Sequence, residues 1–258
     1  MISLFRRKPK AAPAKKRDGA KGDETLHLAI DGAAVEVKLR LNPRARRVIV
    51  KVHPGTGEVT VVAPTRRGLS YALDFARGEK DWIARQRARV PAPVLLMPGA
   101  RLPFRGVMHE IRHGGRSGPA PAWRDAEAKI LWVCGRADHA PRRVLDFLKR
   151  EARELCEAVA LDYGARLGTA PSRITLRDTA SRWGSCSATR AISLSWRLIL
   201  APDFVRDYVV AHEVAHLKEM NHGARFWRLV EGLHPNREAA QNWLKEHGRA
   251  LQRYAPKA

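Results

Sequence analysis

The pentapeptide His212-Glu213-Val214-Ala215-His216 constrains this chain more than any other segment. On a helix with ~3.6 residues per turn, positions four apart lie one turn apart on the same face. Two imidazoles so placed can share one zinc ion, and the Glu beside the first can take a proton from a water that the ion acidifies. With 10 His and 26 Asp+Glu in 258 residues, chance supplies such a pattern in at most about 4 % of shuffled chains. The plain alternative is an amphipathic helix with two satisfied histidines. Tyr208, Val209, Val210, Val214 and Leu217 around the motif are apolar, which suits a buried helix with one wet edge.

A catalytic zinc takes three protein ligands and keeps one position open. Pro202 suits the start of the motif helix, where a missing N–H costs little. Asn221-His222-Gly223 suits its end, because Asn and Gly tolerate left-handed backbone. His222 just past that break is the favoured third ligand. Glu231 or Glu238, at a longer spacing, is the alternative. Glu213 is the candidate general base, whereas Glu219 reads as a solvent-facing helix residue. Asp203 and Asp207 are candidates to orient the ligand imidazoles.

Elsewhere the pattern changes along the chain. Residues 1–24, rich in Lys, Ala, Pro and Gly, read as a disordered basic tail. Alternation over 26–30 and 35–39 around Asp31-Gly32 reads as a hairpin with a type I′ turn, with further strands at 47–52 and 58–63. Residues 67–90 read as helix, weakened by Gly78. A Pro-rich run over 91–99 looks like a linker. Short strands follow at 107–112 and 129–133, separated by a Gly/Pro/Ser segment at 114–121. The compositional join near 135–141 suggests a boundary, giving a β-rich region over 25–137 and a second domain over 138–258. In the latter, 143–167 carries one apolar helical face. Strands are expected at 174–177 and 192–200, with a polar turn at 185–190 and closing helices at 224–232 and 236–253.

Composition adds a charge of +22, of which the tail supplies +5. A field of that sign attracts polyanions, DNA included, as does any solvated basic surface. Cys134, Cys156 and Cys186 form no CxxC pair, so a reducing, cytoplasmic setting fits better than a disulfide framework. The start is too short in apolar residues for a signal peptide. No stretch approaches the ~20 apolar residues of a membrane span, so no membrane partner is expected.

Arg182-Trp183-Gly184-Ser185-Cys186-Ser187, Leu194-Ser195-Trp196-Arg197-Leu198, Ala201-Pro202, Tyr208 to Glu213, Asn221-His222-Gly223 and Phe226-Trp227 together resemble the YgjP-type, SprT-like zinc metallopeptidases. Pro235 and Trp243-Leu244 fit the same pattern. The likeness covers roughly 140–250, and a looser one that includes Trp82-Ile83 reaches back to about 26. It implies an α+β fold: a β-rich N-terminal part followed by a mainly helical, zincin-like metallopeptidase domain with a small sheet. It also implies that His222 completes the zinc site with His212 and His216. Gly223 stands where Ser is common and Ser195 where Asn is frequent, and neither change removes a ligand. The resemblance further implies a strand and turn at 182–187 beside the cleft, where Arg182, Trp183 and Cys186 would contact an extended substrate. As plain structure, Cys186 and Trp183 would be packed residues instead.

The leading expectation is a zinc peptidase acting on protein or peptide through Glu213. SprT-like relatives include proteases acting on proteins crosslinked to DNA, which makes DNA-stimulated proteolysis a hypothesis. The alternatives are a nucleic-acid-binding module with a structural metal, needing Cys186 or His234 as fourth ligand, and a metal-dependent amidase on a non-protein substrate.

Overall fold

A computed structural model describes residues 2–5, 24–30, 32–114, 121–179 and 182–255. The chain divides into two compact units, Met1–Pro91 and Ala92–Ala258.

In the first unit, five strands form one sheet: β1 (Ile2–Phe5), β2 (Glu24–Ile30), β3 (Ala33–Leu41), β4 (Ile49–Val52) and β5 (Val59–Ala63), in the order β1-β4-β5-β3-β2. β2 and β3 are antiparallel in the register Leu28↔Val35, so the expected hairpin forms. Its turn residue Asp31 lies outside the described residues. Alternation puts Val35, Val37 and Leu39 of β3 inside. Helices α1 (Leu69–Gly78) and α2 (Lys80–Ala88) supply Ala72, Phe75, Ala76 and Ile83 to the same core. The helix expected over 67–90 is thus two helices, parted at Gly78-Glu79. Part of the expected tail is also different, because Ile2–Phe5 pairs antiparallel with Ile49–Val52. Residues 6–23 lie outside the described residues.

The second unit begins with β6 (Val94–Leu95), β7 (Arg101–Phe104), β8 (Val107–His113), β9 (Ala122–Asp125) and β10 (Ile130–Val133). β7 to β10 form a sheet in the order β7-β8-β10-β9. The long helix α3 (Ala140–Arg166) follows, then β11 (Arg173–Arg177), β12 (Gly184–Cys186) and β13 (Ala191–Ser195). These last strands make a small sheet in the order β11-β13-β12, with β12 at the edge. Helices α4 (Asp203–Ala215), α5 (Ala224–Leu233) and α6 (Arg237–Leu251) precede β14 (Tyr254–Ala255), which pairs with β6. Six α-helices are present among the described residues, and none is long and apolar enough to cross a membrane.

The join expected near 135–141 falls inside this second unit. One core holds Leu102, Ile111 and Val133 from the four-stranded sheet together with Leu148 of α3 and Val210 of α4, so burial ties both sides of that join. The strand expected over 192–200 is also corrected. It ends at Ser195, whose Oγ accepts from the Arg197 N–H at 3.4 Å, and Trp196–Leu200 wind into a buried 3₁₀ turn. This turn seats α4. The β7–β8 hairpin turns at Arg105-Gly106, both at positive φ, and their N–H groups donate to the carbonyls of Ile199 and Leu200. Only Gly fits at 106, since a Cβ there would lie 2.9 Å from Pro202 at the head of α4. Val205, Val210 and Val214 of α4 are fully buried, each contributing on the order of 2 kcal/mol.

Candidate metal centre

α4 ends earlier than the 221–223 break suggests: Ala215 is its last residue and His216 its C-cap. The N–H groups of Leu217, Lys218 and Glu219 bond back to Val214 and Ala215, and this turn returns His222 to the helix end. The ring centroids of His212, His216 and His222 are then 4.7–5.0 Å apart. One nitrogen from each lies within 4.8 Å of the others.

The donor set fits a metal. His212 Nε2 and His222 Nε2 are 3.1 Å apart, close to the ~3.3 Å between two nitrogen ligands of a tetrahedral zinc. His216 donates its Nδ1–H to the Glu219 carbonyl at 3.0 Å, which leaves its Nε2 as a lone pair. His212 Nδ1 is buried without a partner among the described residues. Burial, helped by His216 and His222, holds His212 down to about 4. Burial lowers His216 as well, although its bond to the Glu219 carbonyl opposes this. Both rings are therefore neutral at pH 7, as ligands must be. Phe226, fully buried, backs the cluster with its ring centroid 4.5–4.9 Å from all three imidazoles.

The remaining candidate ligands lie outside this cluster. Glu231 pairs with Arg237 at 3.0 Å. Glu238, Cys186 and His234 do not join the three imidazoles among the described residues. Asp203 and Asp207, expected to orient the ligand rings, instead hold Arg206 at 2.7 and 2.8 Å. The orienting acceptor for His216 is the main-chain oxygen of Glu219. That residue's carboxylate meets Arg225 at 3.1 Å.

Glu213 is 5 % exposed and makes no hydrogen bond among the described residues. Burial pushes its carboxyl up to about 7, with Arg182 pulling the other way. It presses against β12 so closely that a Cβ on Gly184 would sit 2.5 Å from its Oε1 and 2.6 Å from its Cγ. A second glycine sets this strand from behind, since a Cβ on Gly248 of α6 would lie 3.1 Å from the Trp183 ring. Trp183 is half-buried there, while Arg182 is exposed. Cys186 is half-buried and its thiol is raised by burial and by Glu213. The turn expected at 185–190 thus begins as strand, and Arg182 and Cys186 lie within electrostatic reach of Glu213.

β12 pairs with β13 in the register Ser185↔Ser193, and the Trp183 carbonyl accepts from the Ser195 N–H at 2.8 Å. Antiparallel alternation then turns the main-chain groups of Gly184 and Cys186 toward the free edge. Sequence reading missed the Gly184 contact, the Phe226 backing and the Glu219 carbonyl. Phe226 alone had a signal, in its place within the resemblance.

No curated protein matches the chain. The crystal structure of the metallopeptidase zymogen of Pyrococcus abyssi abylysin is similar over 43 % of this chain and 97 % of that one, at 23 % identity and a TM-score of 0.29. The family described as YgjP-like, metallopeptidase domain, matches residues 46–247. Since that match spans most of the sequence and includes every residue of the imidazole cluster, the chain belongs to the YgjP-like metallopeptidase family.

Proposed function

We propose that the chain is a zinc peptidase in which His212, His216 and His222 hold the metal and Glu213 is the general base. The convergence of three imidazoles beside a buried carboxylate that has no hydrogen bond among the described residues carries this reading. A zinc ion held by His212, His216 and His222 would supply an acidified water and a Lewis acid for the scissile carbonyl. Glu213 takes the proton of the attacking water on a carboxylate oxygen and returns it to the leaving nitrogen. Burial raises its affinity for that proton, and Arg182 opposes the rise. Gly184 leaves room for the carboxylate. The free edge of β12 suits an extended peptide, which would pair with the main chain of Gly184 and Cys186 beside Arg182 and Trp183.

A proteome-derived peptide library digested by wild type and Glu213→Gln, with bound metal measured in both, tests the proposal. Cleavage by wild type alone with equal metal supports it, and equal cleavage overturns it. A non-protein amide as the substrate would show as metal binding without peptide cleavage. The charge of +22 favours a polyanion partner as well. Proteolysis should then rise with DNA at low salt and lose that gain at high salt. Cys134, Cys156 and Cys186 form no disulfide among the described residues, which supports a reducing, cytoplasmic setting.

A further inference from the structure

A cleft of about 330 Å³ opens in the second unit near the other end of α4. It adjoins Asp203, nine residues before His212, so roughly 13 Å of helix separates it from the imidazoles. Aromatic rings line the cleft, Phe104 and Phe147 stacked with centroids 5.8 Å apart and Trp123 as well, together with Leu155 and the Glu151 carboxylate. Three guanidinium groups, those of Arg105, Arg124 and Arg150, gather around it.

Their charges are balanced unequally. Arg105 meets both Asp203 oxygens, at 2.9 and 3.1 Å from its Nε, and is neutralised. Arg150 reaches Glu151 at 3.2 Å. Arg124 has no carboxylate at all among the described residues. Its Nε–H donates to His109 Nε2 at 2.9 Å, and that fully buried imidazole gives its own Nδ1–H to the Val107 carbonyl at 2.7 Å. Nδ1 therefore carries the proton, Nε2 is a lone pair, and the ring is neutral. Arg124 Cζ lies 5.0 Å from the Phe104 centroid and Arg150 Cζ 5.2 Å from that of Phe147. Packing of guanidinium on a ring is common by itself. What it does not explain is a buried neutral histidine that fixes a cation beside other cations, with its terminal nitrogens unused among the described residues.

We propose that this cleft binds a small molecule in which an anionic group is tethered to a planar ring. The Arg124 fork meets the anionic group, Arg150 adds field, and Trp123 covers the ring. A carboxylate tethered to an aromatic ring and a nucleotide phosphate share this chemistry. Titration calorimetry of the full, zinc-loaded chain would use three probes: adenosine monophosphate, N-acetyltryptophan and inorganic phosphate. At least one ring-bearing anion should bind ten-fold or more tightly than inorganic phosphate, and which one does identifies the source. Arg124→Gln should weaken it at least ten-fold and the exposed Arg150→Gln about three-fold, with peptide cleavage unchanged in both. The Arg150 variant serves if Arg124→Gln does not fold. Phosphate binding as tightly as the ring anions, no binding of either ring anion at millimolar concentration, or affinity unchanged in the variants that fold would each overturn the proposal.

Discussion

The two ends of α4 treat buried ionisable groups in opposite ways. In its first turns the Arg206 guanidinium, 5 % exposed, is satisfied by Asp203 at 2.7 Å and Asp207 at 2.8 Å. Burial pushes the Asp203 carboxyl up, but its bond to Arg105 and the charge of Arg206 outweigh this and hold it low. In the last turns, among the described residues, His212 Nδ1 has no partner and buried Glu213 makes no hydrogen bond, while His212 faces His222, beyond the helix end, through Nε2. One helix thus carries a closed ionic network and an open one. A closed network holds structure, whereas groups left open at a burial cost mark where a cation and a substrate are to be accommodated.

If the open end is a metal centre, substitutions there should change chemistry and those at the closed end should change stability. The largest effect is expected from His222→Ala: stoichiometric zinc is lost at neutral pH and cleavage falls by about 10³-fold or more. Metal analysis after dialysis, paired with a peptide assay, checks both. Gly184→Ala should come next. Its methyl would displace the Glu213 carboxylate, so cleavage should drop by roughly 10²-fold while zinc content is kept. Unchanged turnover would show that the close approach of β12 does not position the base.

At the closed end, Arg206→Met strands Asp207 and leaves Asp203 to Arg105 alone, both carboxylates being partly exposed. Solvent screening discounts the penalty to about 2 kcal/mol of stability, with zinc binding retained, as chemical denaturation and metal analysis would read. A further stability effect has the opposite sign. In the metal-free native state Glu213 is held up to about 7, so between pH ~4.5 and ~7 it keeps a proton that the unfolded chain has released. Stability therefore falls as pH rises through that window. Glu213→Gln removes the fall and should stabilise the metal-free protein by about 3 kcal/mol at pH 8, with no gain at pH 4. Removing a charge would then destabilise one end of α4 and stabilise the other. A loss of stability at both ends would erase the contrast.

What sequence could reveal divides along the same lines. His212, Glu213 and His216 are legible because their geometry is local, fixed by helical spacing. His222 is legible through the Asn-His-Gly break, even though α4 stops at Ala215. Apolar Leu217 continues the helical pattern past the true end, so periodicity alone overran it. The Gly184 contact joins residues 29 positions apart, and neither carries a local sign of it. The Glu219 carbonyl is main chain, which every residue possesses. Trp196–Leu200 read as strand because a uniformly apolar run has no period to tell strand from a buried 3₁₀ turn. β7 and β9 are strands of four residues, β7 with a Pro inside, too short for alternation to mark them.

X-ray absorption at the zinc edge of the metal-loaded chain tests the central claim most directly. The account expects one zinc per chain with three imidazole nitrogens at ~2.0–2.1 Å and a light-atom fourth neighbour, unchanged in Cys186→Ser. A sulfur shell at ~2.3 Å that Cys186→Ser abolishes, or a shell of four imidazoles, would mean a closed structural site and would contradict it.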